Sequence, residues 1–316
     1  MIDPLSVLSV VAGLIYLVMG GDLLIRGSIS TARRFNVPPA VVGATLVALG
    51  TSLPELIVSL LAATTDHAGL ALGNVVGSNI TNIFLVLGVP ALFIPIVGTR
   101  ETKVHLVFML FATLVFVGMC LMSSPLSRID GVVLVGILLA AILLSASGKL
   151  EIIDLTGEDV EYERVLGMPE KPAMIAFFVV FGAATLPLGA QITVRGATEL
   201  AAQTGAAESA IGATIIALGT SLPELIVSIV AAMHRQIDMA IGNAVGSNTL
   251  NILIVIGVTS FVTDLPVGPK VLDLGIWFML GAALVLAAFV LANRAIGRVT
   301  GAIFILAYLA FVWLVF

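Results

Sequence analysis

Glu55 and Glu224 pose the first chemical question in this sequence. Each closes the same hexapeptide, Gly50-Thr51-Ser52-Leu53-Pro54-Glu55 and Gly219-Thr220-Ser221-Leu222-Pro223-Glu224, inside a long apolar run with no basic residue at similar depth. A carboxylate at the centre of a bilayer costs about 3 kcal/mol even on the most forgiving insertion scale, so two of them require compensation from a ligand or from protons. Proline and glycine should break the helix here, and Pro54 should sit in the first turn of the helix that restarts. The break is expected to leave the carbonyls of about Ala48 to Gly50 unpaired, with the Thr51 and Ser52 hydroxyls beside them. Every available donor is then an oxygen. Such a set suits a hard cation such as Ca²⁺ or Na⁺, whereas zinc or copper would call for Cys or His. Two glutamates match the charge of one Ca²⁺. Ser52-Leu53-Pro54-Glu55 also reads as a capping box, which would finish a helix N-terminus without any ligand.

A second polar element follows each glutamate. Ser78 and Asn82 lie four apart, on one helix face, and Ser247 and Asn251 repeat the pair. These groups suit cation ligation, with interhelical hydrogen bonding as the alternative. Gly73-x-x-x-Gly77 and Gly242-x-x-x-Gly246 beside them read as close-packing positions. Asn79-Ile80-Thr81 fits a glycosylation sequon by pattern alone, because it lies at membrane depth.

The elements that must position these residues follow from composition. Of 316 residues, 59% are hydrophobic and 10% charged, and the mean hydropathy is +1.19. A soluble domain is nearer half apolar and a quarter charged. The chain therefore reads as a polytopic membrane protein. Spans of about 20 apolar residues are expected near 5–25, 37–64, 69–97, 104–122, 128–147, 171–201, 207–232, 238–264, 270–292 and 297–316. The runs lack period-two alternation, which excludes a barrel. Nothing before Arg26 resembles a secretory signal, so the first span is expected to persist. Cys120 reads as packing, and the histidines His67, His105 and His234 fall at span ends.

With the N-terminus outside, eleven Lys and Arg residues fall on the inner side and three on the outer, as the positive-inside rule requires. Both termini then face outward, in the plasma (inner) membrane. The acidic stretch 148–170, with Glu151, Asp154, Glu158, Asp159, Glu161 and Glu163, reads as a solvated cytoplasmic linker without the ligand spacing of an EF-hand. Asp22 and Arg26, four apart, are placed to pair. There is no basic patch for nucleic acid, no obligatory protein partner is evident, and lipid is the surrounding medium. No Ser/His, His-Glu-x-x-His or Gly-x-Ser-x-Gly arrangement marks an enzyme, and no cofactor is called for.

The chain repeats itself. Ala44 to Ser59 recurs as Ala213 to Ser228 with two differences, and over 42–90 against 211–259, 29 of 49 positions are identical at a constant offset of 169. Five spans separate each element from its copy, an odd number, so the copies should enter the membrane from opposite sides. The expected fold is all-α: ten transmembrane helices as two inverted five-helix repeats, 1–147 and 171–316, with helices 2 and 7 broken.

These paired elements resemble the two alpha repeats of the cation/Ca²⁺ antiporter superfamily, and the layout is most similar to compact prokaryotic sodium/calcium exchangers. The resemblance implies alternating access, with Na⁺ entry driving Ca²⁺ out. It implies Glu55 and Glu224 as central Ca²⁺ ligands, backbone oxygens from Thr51 and Thr220, and flanking Na⁺ sites from Ser52, Ser78, Ser221 and Ser247 with the carbonyls of Ala48 and Ala217. Asn82 and Asn251 would line the middle. Many members carry aspartate where this chain has Asn251, which leaves the Na⁺ count, any K⁺ requirement and proton coupling open. H⁺/Ca²⁺ exchange, exchange of another divalent cation and a passive cation channel are the alternatives.

Overall fold

Backbone groups in hydrocarbon must bond within their own segment, and this chain meets that demand with helices. The computed structural model describes residues 3–65, 68–147, 167–203 and 217–315. The helices are α1 (Pro4–Phe35), α2 (Pro39–Thr51), α3 (Leu53–Thr64), α4 (Ala68–Ala91), α5 (Arg100–Met122), α6 (Arg128–Ala146), α7 (Pro172–Gln203), α8 (Ala217–Thr220), α9 (Leu222–Met233), α10 (Ile237–Val262), α11 (Val271–Leu291) and α12 (Arg298–Val315). Among the described residues no strand forms. Two isolated antiparallel bridges, Ile96 with Ile296 and Leu126 with Leu265, tie chain segments between helices. Eight helices are long and apolar enough to cross a membrane, and the bent pair α2–α3 makes a ninth. The protein is an integral membrane protein. The short α8 and the apolar α9 are the described part of the expected seventh span; residues 204–216 lie outside the described residues. So do the acidic residues 151–163 and His67.

Expected and observed spans coincide closely except for α1, about ten residues longer than its apolar run; α1 and α7 each reach 32 residues. Their length comes with a packing device. Gly13, Gly20 and Gly27 on α1 oppose Gly182, Gly189 and Gly196 on α7, a seven-residue spacing on both helices at the same offset of 169. A Cβ at Gly20 would lie 3.1 Å from the Gly182 carbonyl oxygen, and one at Gly189 would lie 2.8 Å from the Leu17 nitrogen. The two backbones touch, as small residues allow in membranes.

The larger apolar core draws on both halves of the chain, from Leu72, Ile80, Leu106 and Phe116 in one to Ile241, Leu253, Met279 and Phe304 in the other. Cys120 packs into it. A smaller cluster joins Leu17, Leu24 and Ile29 of α1 to Leu186, Val227 and Met239. The halves thus share an interior, and the polar motifs are threaded through its middle.

Candidate cation site

Pro54 occupies the opening turn of α3, and Ser52 takes φ −85° and ψ 1°, so the chain leaves α2 and restarts with a bend of 42°. Ser221 does the same between α8 and α9, at φ −90° and ψ 3°. The helix break expected from Gly-Thr-Ser-Leu-Pro-Glu is present in both copies. Neither serine caps its helix with its side chain. Instead Ser52 Oγ donates to Glu224 Oε1 across the two halves at 3.3 Å. The capping-box alternative is therefore not realised.

One local expectation is corrected. The Ala48 carbonyl is not left unpaired: it accepts from the Ser52 N–H at 2.9 Å and lies 3.3 Å from the Thr51 hydroxyl. The bend is gentle enough for the last α-helical bond of α2 to close across it.

Glu55 and Glu224 lie in the first turns of α3 and α9 and are fully buried. No ion pair among the described residues involves either one. Thr51, Ser52, Ser78, Asn82, Thr220, Ser221, Ser247 and Asn251 are buried as well. Thr51 Oγ1 lies 3.3 Å from Ser247 Oγ. Ala48 is buried one turn before Ser52, and Ala217 begins the short helix that carries Thr220.

The decisive feature is a set of polar atoms with no hydrogen-bond partner. It comprises both Glu55 carboxylate oxygens, Glu224 Oε2, the hydroxyls of Ser78 and Ser221, both side-chain polar atoms of Asn82, and Asn251 Oδ1. Buried polar groups are nearly always satisfied, and each one left alone costs about 1–3 kcal/mol. Most of the unpartnered buried polar atoms among the described residues fall here, on six of the twelve sequence-predicted residues. Oxygen dominates the set, with no Cys or His. Such a lining can stabilise a desolvated hard cation.

Two braces hold the glutamates, and the sequence reading did not single them out. Asn243 accepts from Thr51 Oγ1 at 3.1 Å and donates to the Glu224 carbonyl at 3.4 Å and to Ser228 Oγ at 3.3 Å. Asn74 accepts from Thr220 Oγ1 at 3.3 Å and donates to the Glu55 carbonyl at 3.5 Å and to Ser59 Oγ at 3.1 Å. Every partner in one brace lies 169 residues from its match in the other. Each brace joins a Thr of one half to a carboxylate helix of the other. The signal that could have found them was their recurrence within both repeated segments.

The repeated glycines divide. Gly242 and Gly246 meet the backbone at Ala40 and Ala44 of α2, as a packing role predicts; Gly73 and Gly77 have no described neighbour within 4 Å of a Cβ position. Short π-helical turns flank the site, Gly43–Val47 before Ala48 and Asn251–Ile256 starting at Asn251. Such turns are frequent at functional positions, and apolar periodicity cannot reveal them. Outside the cluster, Asp22 pairs with Arg26 at 2.7 Å as expected and also meets His234 Nε2 at 2.8 Å.

The chain is similar to known proteins along nearly its whole length. The family model described as sodium/calcium exchanger protein matches residues 5–146 and 174–316. The putative antiporter CaxA of Alkalimonas amylolytica is 35% identical, with 97% of each chain covered. The sodium/calcium exchanger MaX1 of Methanosarcina acetivorans is 28% identical over 96% of each. Among solved structures, the sodium-calcium exchanger NCX_Mj soaked with Na⁺ and Sr²⁺ superposes with a TM-score of 0.80, at 34% identity and 97% coverage of both chains. An intramembrane cluster of unsatisfied oxygens between two broken helices, and matches that span both halves, lead to one assignment: the chain belongs to the sodium/calcium exchanger family.

Proposed function

We propose that this protein is a secondary antiporter that exchanges Ca²⁺ for Na⁺ by alternating access, both ions competing for a midplane site built on Glu55 and Glu224. The single observation that carries the proposal is the cluster of buried, unpartnered oxygens around two uncompensated carboxylates. A cation in that cluster offsets the electrostatic cost of the glutamates and satisfies the orphan acceptors together. Na⁺ and Ca²⁺ exclude one another because both need the same carboxylates. An empty, charged site is the costly state, which couples exit of one ion to entry of the other.

In this reading Glu55 and Glu224 bind Ca²⁺ with backbone oxygens of Thr51 and Thr220. Ser52, Ser78, Ser221 and Ser247, with the carbonyls of Ala48 and Ala217, serve flanking Na⁺ ions, and Asn82 and Asn251 line the centre. The Ala48 carbonyl contributes through its remaining lone pair. Residues 1–147 and 171–316 act as two inverted five-helix repeats of a ten-span bundle, joined by a cytoplasmic linker at 148–170, with both termini outside the plasma membrane. The offset of 169 in sequence, and the two braces related by it, support that symmetry.

Asn251 favours keeping one second reading, proton coupling, since a neutral amide supplies less charge for Na⁺. Uptake of ⁴⁵Ca²⁺ into proteoliposomes separates the two. Na⁺-loaded vesicles diluted into Na⁺-free buffer at equal pH should accumulate Ca²⁺ uphill, which no channel can do. Uptake only under an imposed pH gradient, without Na⁺, would replace Na⁺ by H⁺.

A further inference from the structure

Asn79 is absent from the site residues named above, yet its side chain reaches one of them. Asn79 and Asn248 are counterparts at the 169 offset, and they clasp α4 to α10. Asn79 Nδ2 donates to the Asn248 carbonyl at 3.4 Å, and Asn248 Nδ2 donates to the Asn79 carbonyl at 3.1 Å. Both residues are buried. The clasp has a consequence for polarity. A backbone carbonyl can only accept, so the Asn79 atom facing it must be the NH₂, and Asn79 Oδ1 must be the acceptor on its other side. That acceptor lies 3.1 Å from Asn251 Nδ2. Asn251 is thereby required to spend its NH₂ on Asn79, and its Oδ1 is the atom left unpartnered.

We propose that Asn79 is a positioning residue that holds the Asn251 side chain with its carbonyl oxygen, not its amide hydrogens, presented to the transported cations. The proposal rests on the cation site described under Proposed function and deepens it. An amide at position 251 is a ligand only in one of its two orientations: turned by 180° it would offer two N–H donors to a cation. A carboxylate at this position would need no such control. The Asn79 bond therefore makes a neutral residue usable there. The matching pair at the other end of the clasp shows the difference. Asn82, which corresponds to Asn251, has no partner on either polar atom, and the Asn248 side-chain oxygen has none. Only one of the two central amides is oriented.

The test is a double-mutant cycle on ⁴⁵Ca²⁺ uptake by reconstituted full-length protein. It compares Asn79→Ala, Asn251→Asp and the combination, with Glu224→Gln as reference. Asn79→Ala should raise the Ca²⁺ KM about ten-fold, the loss of one well-oriented ligand, with maximal rate changed less than two-fold. In the Asn251→Asp background both oxygens at 251 accept and Asn79 Oδ1 has no N–H to receive, so the same Asn79→Ala change should leave KM unchanged or lower it. Equal KM ratios in the two backgrounds, or a lower melting temperature with unchanged KM, would overturn the proposal and leave Asn79 a packing residue. If Asn79→Ala does not fold, the milder Asn79→Ser is read by the same two ratios. Normal uptake by Glu224→Gln would overturn the underlying site and this proposal with it. Loss in Glu224→Gln beside an unchanged KM in the Asn79 variants overturns the Asn79 role alone.

Discussion

The two amide braces predict twin phenotypes, and Asn243→Ala shows how large they should be. The truncation removes three contacts: Thr51 Oγ1 at 3.1 Å, the Glu224 carbonyl at 3.4 Å and Ser228 Oγ at 3.3 Å. They are not equally costly to lose. Thr51 keeps the Ala48 carbonyl at 3.3 Å, and Glu224 lies within α9, where its carbonyl carries a helical bond. Ser228 is fully buried and loses its Asn243 donor outright. One orphaned buried hydroxyl plus a small cavity amounts to about 2–4 kcal/mol. At about 2–4 °C per kcal/mol for a chain of this order of size, the melting temperature should fall by about 4–16 °C. Thermal unfolding in detergent, followed by a fluorescent thiol probe reacting at the single buried Cys120, reports it directly. Asn74→Ala cuts the equivalent contacts to Thr220, Glu55 and Ser59 and should fall by the same amount within about 1 kcal/mol. Both variants should also raise the Ca²⁺ KM, because each brace seats the backbone of a carboxylate helix. If one variant is silent while the other unfolds early, the braces are not equivalent supports and the reasoning fails.

Three further outcomes follow from named contacts. Glu55→Gln or Glu224→Gln should abolish Ca²⁺ uptake while preserving the fold, measured as flux alongside size-exclusion elution; near-normal flux in either would remove that residue from the site. Gly189→Val should drive the helices α1 and α7 apart, since even a Cβ there lies 2.8 Å from Leu17 N and 2.9 Å from Gly13 O, costing about 1–3 kcal/mol of overpacking. Gly281→Ala, with no described neighbour within 4 Å, is its control and should leave the melting temperature within about 2 °C. Asp22→Asn weakens contacts to Arg26 and His234 at a side chain one-third exposed, so the loss should stay below about 1 kcal/mol and uptake should exceed half of wild type.

Much of this architecture is legible in the sequence because membranes simplify the physics. Continuous apolar runs mark the spans, and proline after Gly-Thr-Ser marks the two helix breaks, both observed at Ser52 and Ser221. The same logic picked out buried carboxylates, since a charge in an apolar run has few reasons to exist. What composition cannot supply is partner choice. Ser52 read as a cap for its own helix or as a cation-site hydroxyl, and only the arrangement of the two halves brings it to Glu224. The carbonyl of Ala48 depended on a bend angle, 42°, that no pattern encodes. Asn74, Asn79, Asn243 and Asn248 were visible as repeated residues, but their roles arise from contacts between segments 146 to 192 residues apart. The glycine ridge of α1 and α7 was legible in principle at the same offset, and was masked by how common glycine is in membrane helices.

The central claim is that one buried oxygen site binds both ions in competition. Equilibrium binding of ⁴⁵Ca²⁺ to the purified full-length protein, with Na⁺ replacing an inert organic cation at constant ionic strength, tests it most directly. The account predicts saturable Ca²⁺ binding that Na⁺ displaces and that disappears in Glu55→Gln and Glu224→Gln. Binding that survives either substitution, or that Na⁺ leaves unchanged, would contradict it.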